Sequence, residues 1–117
     1  MNSRKRIGNY GEQKAVEFLE KNGYLIIERN FTCRQGEIDI IATKNEEIIF
    51  IEVKTRSSLT FGVPCESVTS IKQKHIFKSA RYYLHLHHME NCFVRFDVVE
   101  VYLQGKNCKI NHIMQIV

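Results

Sequence analysis

The sequence contains no tryptophan and only one proline among its 117 residues. It also has no low-complexity tract and no internal repeat, which argues against a disordered segment or a linker. No apolar run approaches the roughly 20 residues that a membrane-spanning helix needs. The amino-terminal segment is basic but lacks an apolar stretch, so it does not predict a signal peptide. These absences predict a single domain over residues 1–117, cytoplasmic and without a membrane partner.

A cysteine-based metal module is also missing. The four cysteines are Cys33, Cys65, Cys92 and Cys108. Because no two of them form a Cys-x-x-Cys pair, the sequence disfavours a zinc site, and we expect free thiols that are largely buried. The three histidines within residues 85–88 lack ligand spacing with these cysteines, so the polar end of a helix explains them better.

Residues 36–56 are the most informative part of the sequence. Two runs rich in β-branched side chains, 36–41 and 48–56, flank a short polar segment and predict a β-hairpin. Three ionisable side chains, Asp39, Glu52 and Lys54, interrupt these apolar runs. Burying a charge is costly unless it is paired or bound to a metal, so simple packing does not account for them.

Strand geometry brings these charges together. Alternation of side chains puts Glu52 and Lys54 on one face. A two- or four-residue loop centred on Asn45 and Glu46 would place Asp39 opposite Glu52, with Cβ atoms about 4.5–5.5 Å apart. A cation between the two carboxylates would remove their repulsion, so the hairpin predicts half of a metal site. The simpler alternative is a set of edge-strand charges in which Lys54 forms an ordinary salt bridge.

A helix over residues 4–22, closed by Gly23, is predicted before the hairpin. Its apolar stripe consists of Ile7, Gly11, Ala15, Phe18 and Leu19. Glu12 lies beside this stripe. The glycines Gly8 and Gly11 weaken a helix, which is tolerable where another backbone or a ligand approaches closely. A loose first turn with an exposed Glu12 is the equally weighted alternative.

The remaining elements are a strand at 24–31, a loop at 57–64, a helix at 69–87 and strands at 92–102 and 109–117. Ser67 or Thr69 would cap the second helix. Its predicted buried side is Val68, Ile71, Ile76, Ala80, Tyr83 and Leu84. The order α-β-β-β-α-β-β predicts an α/β fold, a mixed sheet flanked by helices.

Basic residues are unevenly distributed, although the formal net charge is only +4. The clusters are Arg4, Lys5 and Arg6 at the start and Lys72, Lys74, His75, Lys78 and Arg81 in the second helix. Basic clusters beside a carboxylate site suit a polyanionic substrate. A solvated helix face is the alternative for each cluster taken alone.

Several short motifs occur together and in order. They are Gly8-x-x-Gly11-Glu12, Gly36-Glu37-Ile38-Asp39, Glu52-Val53-Lys54-x-Arg56, Phe61-Gly62-x-Pro64-x-Glu66, Lys72-Gln73 and Arg95-Phe96-Asp97-Val98. This set resembles the YraN-type family of predicted endonucleases. That family is similar in turn to archaeal Holliday-junction resolvases, within the PD-(D/E)xK restriction-endonuclease-like superfamily. Ile38 stands where the superfamily name has proline.

The resemblance implies a restriction-endonuclease-like domain and a catalytic site. Asp39, Glu52 and the Val53 carbonyl would bind Mg²⁺ or Mn²⁺. Lys54 would orient the attacking water or offset charge on the phosphoryl oxygens. Glu12 would complete the acidic cluster, and Gln73 would contact the metal shell or the phosphate backbone.

The resemblance also implies a nucleic-acid partner, most simply DNA. Basic residues near the site would contact its phosphates: Arg56, Lys72, Lys74, Lys78 and Arg81. The first hypothesis is therefore a metal-dependent nuclease acting on DNA, with branched or structured DNA as a candidate substrate. The second is a nucleic-acid-binding module that keeps the fold without cutting. Homodimer formation stays open.

Overall fold

A computed structural model describes the backbone of residues 3–56 and 70–116 and the side chains of residues 6–56 and 72–116. Its elements are α1 (Ser3–Lys21), β1 (Leu25–Cys33), β2 (Gly36–Lys44), β3 (Glu47–Arg56), α2 (Ser70–Leu86), β4 (Phe93–Gln104) and β5 (Asn107–Ile113). The predicted order α-β-β-β-α-β-β is confirmed. The predicted loop at 57–64, the two candidate caps and the 61–66 motif lie outside the described residues, as do the side chains of Val68 and Ile71. No described helix is long and apolar enough to cross a membrane.

The five strands form one mixed sheet in the order β1-β2-β3-β4-β5. All neighbours are antiparallel except β3 and β4, which are parallel. Two parallel strands need a crossover connection, and α2 lies between β3 and β4 in the chain. The carboxyl end of β3 therefore lies near the amino end of α2.

Each helix covers one face of the sheet. One core cluster packs Ala15, Val16 and Leu19 of α1 against side chains that include Ile49 and Ile51. The other packs Ala80 and Tyr83 of α2 against side chains that include Ile48 and Phe50. Residues 48–51 are therefore buried on both faces, which explains why this strand is an unbroken apolar run.

Of the two predicted loop lengths, two or four residues, the β2–β3 turn has the shorter. Lys44 pairs with Glu47, and the intervening Asn45 and Glu46 have φ angles of 51° and 68°. Positive φ at both central residues is typical of a type I′ turn, whose twist matches that of the flanking strands. The ladder then runs without a shift to the pair Ile40 and Ile51.

Some predicted boundaries and burials are wrong. Strand β5 begins earlier than expected because Gly105, with φ of 61°, makes a tight turn and lets Gln104 pair with Asn107. It ends at Ile113, and Gln115 turns its N–H toward Asp97 instead of a strand. Ile7 is 40% exposed, since the buried side of α1 begins one turn later.

The prediction that the cysteines are largely buried is also wrong for the described part of the chain. Cys33, Cys92 and Cys108 are free, as expected. Cys92 is exposed and the other two are partly accessible, because all three lie at strand ends or on the outer strands β1 and β5. Cys65 lies outside the described residues.

Gly11 marks a close approach between α1 and β3. A Cβ added at Gly11 would overlap the side chain of Thr55. We expect Gly11→Ala to destabilise the protein by about 1–3 kcal/mol despite the better helix propensity of alanine, because the helix must shift away from the sheet. Gly8 has nothing within 4 Å of such a Cβ, so Gly8→Ala should be neutral or stabilising by up to about 1 kcal/mol. Urea unfolding of both variants tests this pair, and equal free energies of unfolding would contradict it.

Candidate active site

A cleft of about 230 Å³ opens where the β2–β3 ladder ends, beside the first turns of α2. Its described lining consists of Glu37, Asp39, Glu52, Lys72, His75 and Ile76. Asp39 and Glu52 lie next to the last pair of the ladder, Ile40 with Ile51, and both line this cleft. The cleft therefore combines three carboxylates from the hairpin with two basic side chains from a helix.

Asp39 is held by the backbone of the neighbouring strand. The Val53 N–H donates a hydrogen bond of 2.8 Å to Asp39 Oδ2. The pKa of the Asp39 carboxyl is raised to about 6, chiefly by burial and also by the charges of Glu12, Glu52 and Glu37, while the Val53 hydrogen bond opposes the rise. The negative charge of the ionised Asp39 carboxylate is thus unfavourable in the folded protein.

Glu52 and Lys54 form an ion pair, with 2.9 Å between Lys54 Nζ and Glu52 Oε1. Both side chains are largely buried, at 19% and 15% exposed. Burial is the largest single influence and lowers the pKa of Lys54, but the hydrogen bond to Glu52, the contact with Lys72 and the charge of Glu52 together outweigh it, and the net pKa is raised. Lys54 is therefore charged at neutral pH and neutralises one of the two oxygens of Glu52.

The other oxygen of Glu52 is not satisfied. Oε2 is buried and has no hydrogen-bond partner in the part of the chain that is described. A buried acceptor without a partner costs about 1–3 kcal/mol, and more when it is charged. This oxygen belongs to a residue that lines the cleft beside Asp39.

Two further cations lie close to Lys54. The pKa of Lys72 is lowered, first by a hydrogen-bond contact with Lys54 and then by the positive charge of Lys54. Arg56 also acts on both lysines, lowering their pKa values. Like charges this close repel each other, so an anion placed among Lys54, Arg56 and Lys72 would be strongly favoured.

Glu12 reaches the site from α1. Its Oε1 accepts hydrogen bonds from Asn30 Nδ2 at 2.9 Å and from Arg29 Nη2 at 3.4 Å. Its charge contributes to the raised pKa of Asp39, which means that the two carboxylates are near each other. Of the two sequence-based alternatives for Glu12, the structure shows a held side chain, 12% exposed, and not a loose one.

Apart from Asp39, Glu52 and Lys72, none of the predicted site residues belongs to the described lining of the cleft. Gln73 is half-buried in the first turns of α2, and Lys74 is exposed. Lys78 and Arg81 lie farther along the helix, beside a different cleft. Val53 contributes its N–H to Asp39, which is a different contact from the carbonyl ligand that the resemblance implied.

Sequence reasoning assigned no site role to Glu37 or Asn30, and it named His75 only as a member of the basic cluster in the second helix. His75 lines the cleft, and its Nδ1 lies 3.0 Å from the Gln35 carbonyl oxygen. Asn30 holds Glu12 and has a φ of 54°, which only the folded backbone reveals. Glu37 was visible as part of the motif before Asp39, but its position on the cleft depends on the packing of α2.

Asp97 is a buried acid of a different kind. It is paired with Arg95 at 2.8 Å and His112 at 2.7 Å, and it accepts the Gln115 N–H at 3.0 Å. Arg95 in turn donates to the Tyr24 hydroxyl at 2.6 Å. Burial would raise the pKa of Asp97, but these partners outweigh it and the pKa is lowered. Because both oxygens of Asp97 are satisfied, this network stabilises the fold and leaves no free acceptor.

The donor set near Asp39 suits a hard divalent cation. Among the described residues there is no cluster of three or more His, Cys, Asp or Glu side chains arranged to hold a metal ion. Mg²⁺ is nevertheless often bound by one or two carboxylates, several waters and substrate phosphates. The unsatisfied oxygen of Glu52 next to the uncompensated Asp39 fits such a site.

Comparison with known proteins identifies close relatives. The model of a family described as "Uncharacterised protein family UPF0102" matches residues 11–101. A UPF0102 protein of Caldicellulosiruptor saccharolyticus is 54% identical over 105 residues, which cover 90% of this chain and 89% of the relative. UPF0102 proteins of Clostridium perfringens strain 13 and Clostridioides difficile strain 630 are 58% identical over 97 residues and 49% identical over 114 residues. The matched parts cover 83% and 97% of this chain and 80% and 97% of the two relatives.

Proposed function

The chain belongs to the uncharacterised protein family UPF0102, and from this premise we propose that it is a Mg²⁺-dependent endonuclease that hydrolyses phosphodiester bonds of DNA. The observation that supports the proposal most is the buried, unsatisfied Oε2 of Glu52, a residue that lines one cleft together with Asp39 and Lys72. The resemblance to predicted endonucleases supports the same proposal. We also propose that the protein is located in the cytoplasm. Mn²⁺ would serve as an alternative ion.

Electrostatics suggest why a metal and a phosphate would bind together. Asp39, Glu52 and Glu12 supply negative charge, and burial makes that charge costly without a cation. Lys54, Arg56 and Lys72 supply positive charge that is unfavourable without an anion. A divalent ion with a phosphodiester would satisfy both groups at once.

In this proposal each side chain has a defined task. Asp39 and Glu52 would hold the ion, which when bound polarises the scissile phosphate and lowers the pKa of an attacking water. The Val53 N–H fixes the orientation of Asp39. Lys54, charged and held by Glu52, would oppose the negative charge that grows on the phosphoryl oxygens during attack. Lys72 and Arg56 would position the strand, and Glu12 would support the acidic cluster from α1.

A cleavage assay on purified protein tests this function. We expect nicking of linear, flapped or four-way-junction DNA in the presence of Mg²⁺ or Mn²⁺ and none in EDTA, because the carboxylates alone repel the phosphate. Glu52→Gln is the control for contaminating nucleases, since it keeps the shape of the side chain and removes its charge. Cleavage that survives EDTA or Glu52→Gln would contradict the proposal. Binding of the same DNAs without cleavage under any metal would instead indicate a binding module.

A further inference from the structure

A second, larger cleft lies along α2 beside the β1–β2 turn. Its volume is about 470 Å³, within the range of small-molecule sites. The described residues that line it are Gln35, Lys78, Arg81, Tyr82, His85 and Glu90. None of these has a role in the chemistry proposed above.

The second cleft adjoins the active-site cleft. His75 lines the first cleft, and its Nδ1 is 3.0 Å from the carbonyl oxygen of Gln35, which lines the second. Along α2, Lys72 and His75 belong to the first cleft, and Lys78 and Tyr82 to the second. Steps of three or four residues keep these side chains on one side of the helix. A chain of phosphates could therefore pass from one cleft to the other along α2.

Tyr82 offers an aromatic surface in this cleft. Its side chain is a large ring, one turn before the end of α2 at Leu86, and it is 41% exposed. One side is supported by Phe31, whose ring centroid is 6.4 Å away with an interplanar angle of 33°. Phe31 is itself anchored by an edge contact with the buried Tyr83 at 5.1 Å. The ring of Tyr82 is thus held from behind and accessible to solvent.

The charge of the cleft suits a phosphate-bearing ligand. Lys78 and Arg81 are both exposed and precede Tyr82 on the helix, by four residues and by one. The acidic residue in the described lining is Glu90, and its carboxylate lies 3.8 Å from His85 Nδ1. A supported aromatic ring in a cleft that two cations also line is the arrangement that single-stranded nucleic acids need, since their bases stack while their phosphates are neutralised.

We propose that this cleft binds single-stranded DNA, with one base stacked on Tyr82 and the flanking phosphates on Lys78 and Arg81. The inference rests on the proposed function in that it assigns the path of a strand that enters or leaves the active site. The base that Tyr82 contacts must be unpaired, because a base inside a duplex has no free face for the ring. It would lie about two helical turns from the proposed metal site.

Binding without cleavage tests this site. The full chain is titrated in EDTA with a fluorescent oligothymidine and with an abasic deoxyribose-phosphate strand of the same length. We expect Tyr82→Ala to weaken oligothymidine binding by about 5- to 150-fold, the range for loss of one stacked base. Its affinity for the abasic strand should not change. Tyr82→Phe keeps the ring and should bind like wild type. Tyr10→Ala removes a similarly exposed tyrosine, 46% exposed on α1, and should also bind like wild type.

Each outcome bears on the proposal. An equal loss on both strands, no loss on either, or no oligothymidine binding by wild type would overturn it. A crosslinking experiment on the unmodified chain covers the case in which Tyr82→Ala does not fold. Iodouracil in the oligomer should crosslink to a peptide that contains Tyr82, and a crosslink confined to other peptides would overturn the site.

This test is separable from that of the nuclease. If the Tyr82 effect is absent but DNA is cut in a metal-dependent way, the stacking site alone is rejected. If the effect is present but no DNA is cut, the nuclease is rejected and the single-strand site is retained.

Discussion

Asp39→Asn should abolish DNA cleavage and at the same time stabilise the metal-free protein. Loss of a charged ligand is expected to reduce the cleavage rate by a factor on the order of 10³, as for other removed electrostatic contacts to a transition state. Stability should rise because the ionised Asp39 is unfavourable in the folded chain, where burial and nearby acidic residues raise its pKa to about 6. Asparagine keeps an oxygen that can accept the Val53 N–H.

The stabilisation should depend on pH in a defined direction. The folded pKa of about 6 lies above the usual value of 3.8, so folding favours the protonated carboxyl. The stability that the protonated Asp39 carboxyl contributes to the wild-type protein is therefore fully present below about pH 4. This contribution is lost as the pH rises through 6. The advantage of Asp39→Asn should vanish in acid and reach up to about 3 kcal/mol above pH 7.

Urea unfolding in EDTA across this pH range measures the effect. Glu37→Gln is the matched control, since Glu37 is an exposed carboxylate on the same cleft without an assigned role. It should change stability little and retain cleavage. Mg²⁺ should raise the melting temperature of wild type at pH 8 more than at pH 5, because protons compete for Asp39, and it should raise that of Asp39→Asn much less. An Asp39→Asn variant that is less stable than wild type at pH 8, or that cleaves normally, would contradict the assignment.

Lys54→Ala and Lys72→Ala should separate chemistry from binding. Lys54 is largely buried and fixed by Glu52, a residue that lines the cleft, so its charge is held in one position. Its loss should reduce single-turnover cleavage by about 10²–10³-fold while affecting DNA affinity much less. Lys72 is exposed at the rim, so its loss should weaken binding across DNA sequences.

Salt dependence provides the second readout. Each phosphate contact that is lost on duplex DNA should reduce the slope of log affinity against log salt by about 0.9. We expect this reduction for Lys72→Ala, a further one when Lys74 is also replaced, and none for the control Lys106→Ala in the exposed β4–β5 turn. If Lys54→Ala lost affinity and cleavage in equal proportion, Lys54 would be a binding residue and its proposed role in the chemistry would be wrong.

The sequence by itself determined the element order and the central hairpin. The apolar run at residues 48–51 identified a strand, and the polar pair Asn45 and Glu46 identified the centre of the turn before it. A loop centred on this pair allows one alignment of β2 with β3, which was enough to set the register. Gly23, with φ of 88°, was likewise readable as the end of α1. These features depend on neighbours in the chain, which is why local patterns reveal them.

Only the tertiary structure decided which charges meet. The approach of Lys72 to Lys54 depends on how α2 packs on the sheet, and the hold on Glu12 depends on the backbone of Asn30 in β1. The same packing gives His75 its place on the cleft and supports Tyr82 with Phe31. These contacts join residues that are distant in the sequence, and burial changes their charge states, so no periodicity or spacing along the chain could have specified them.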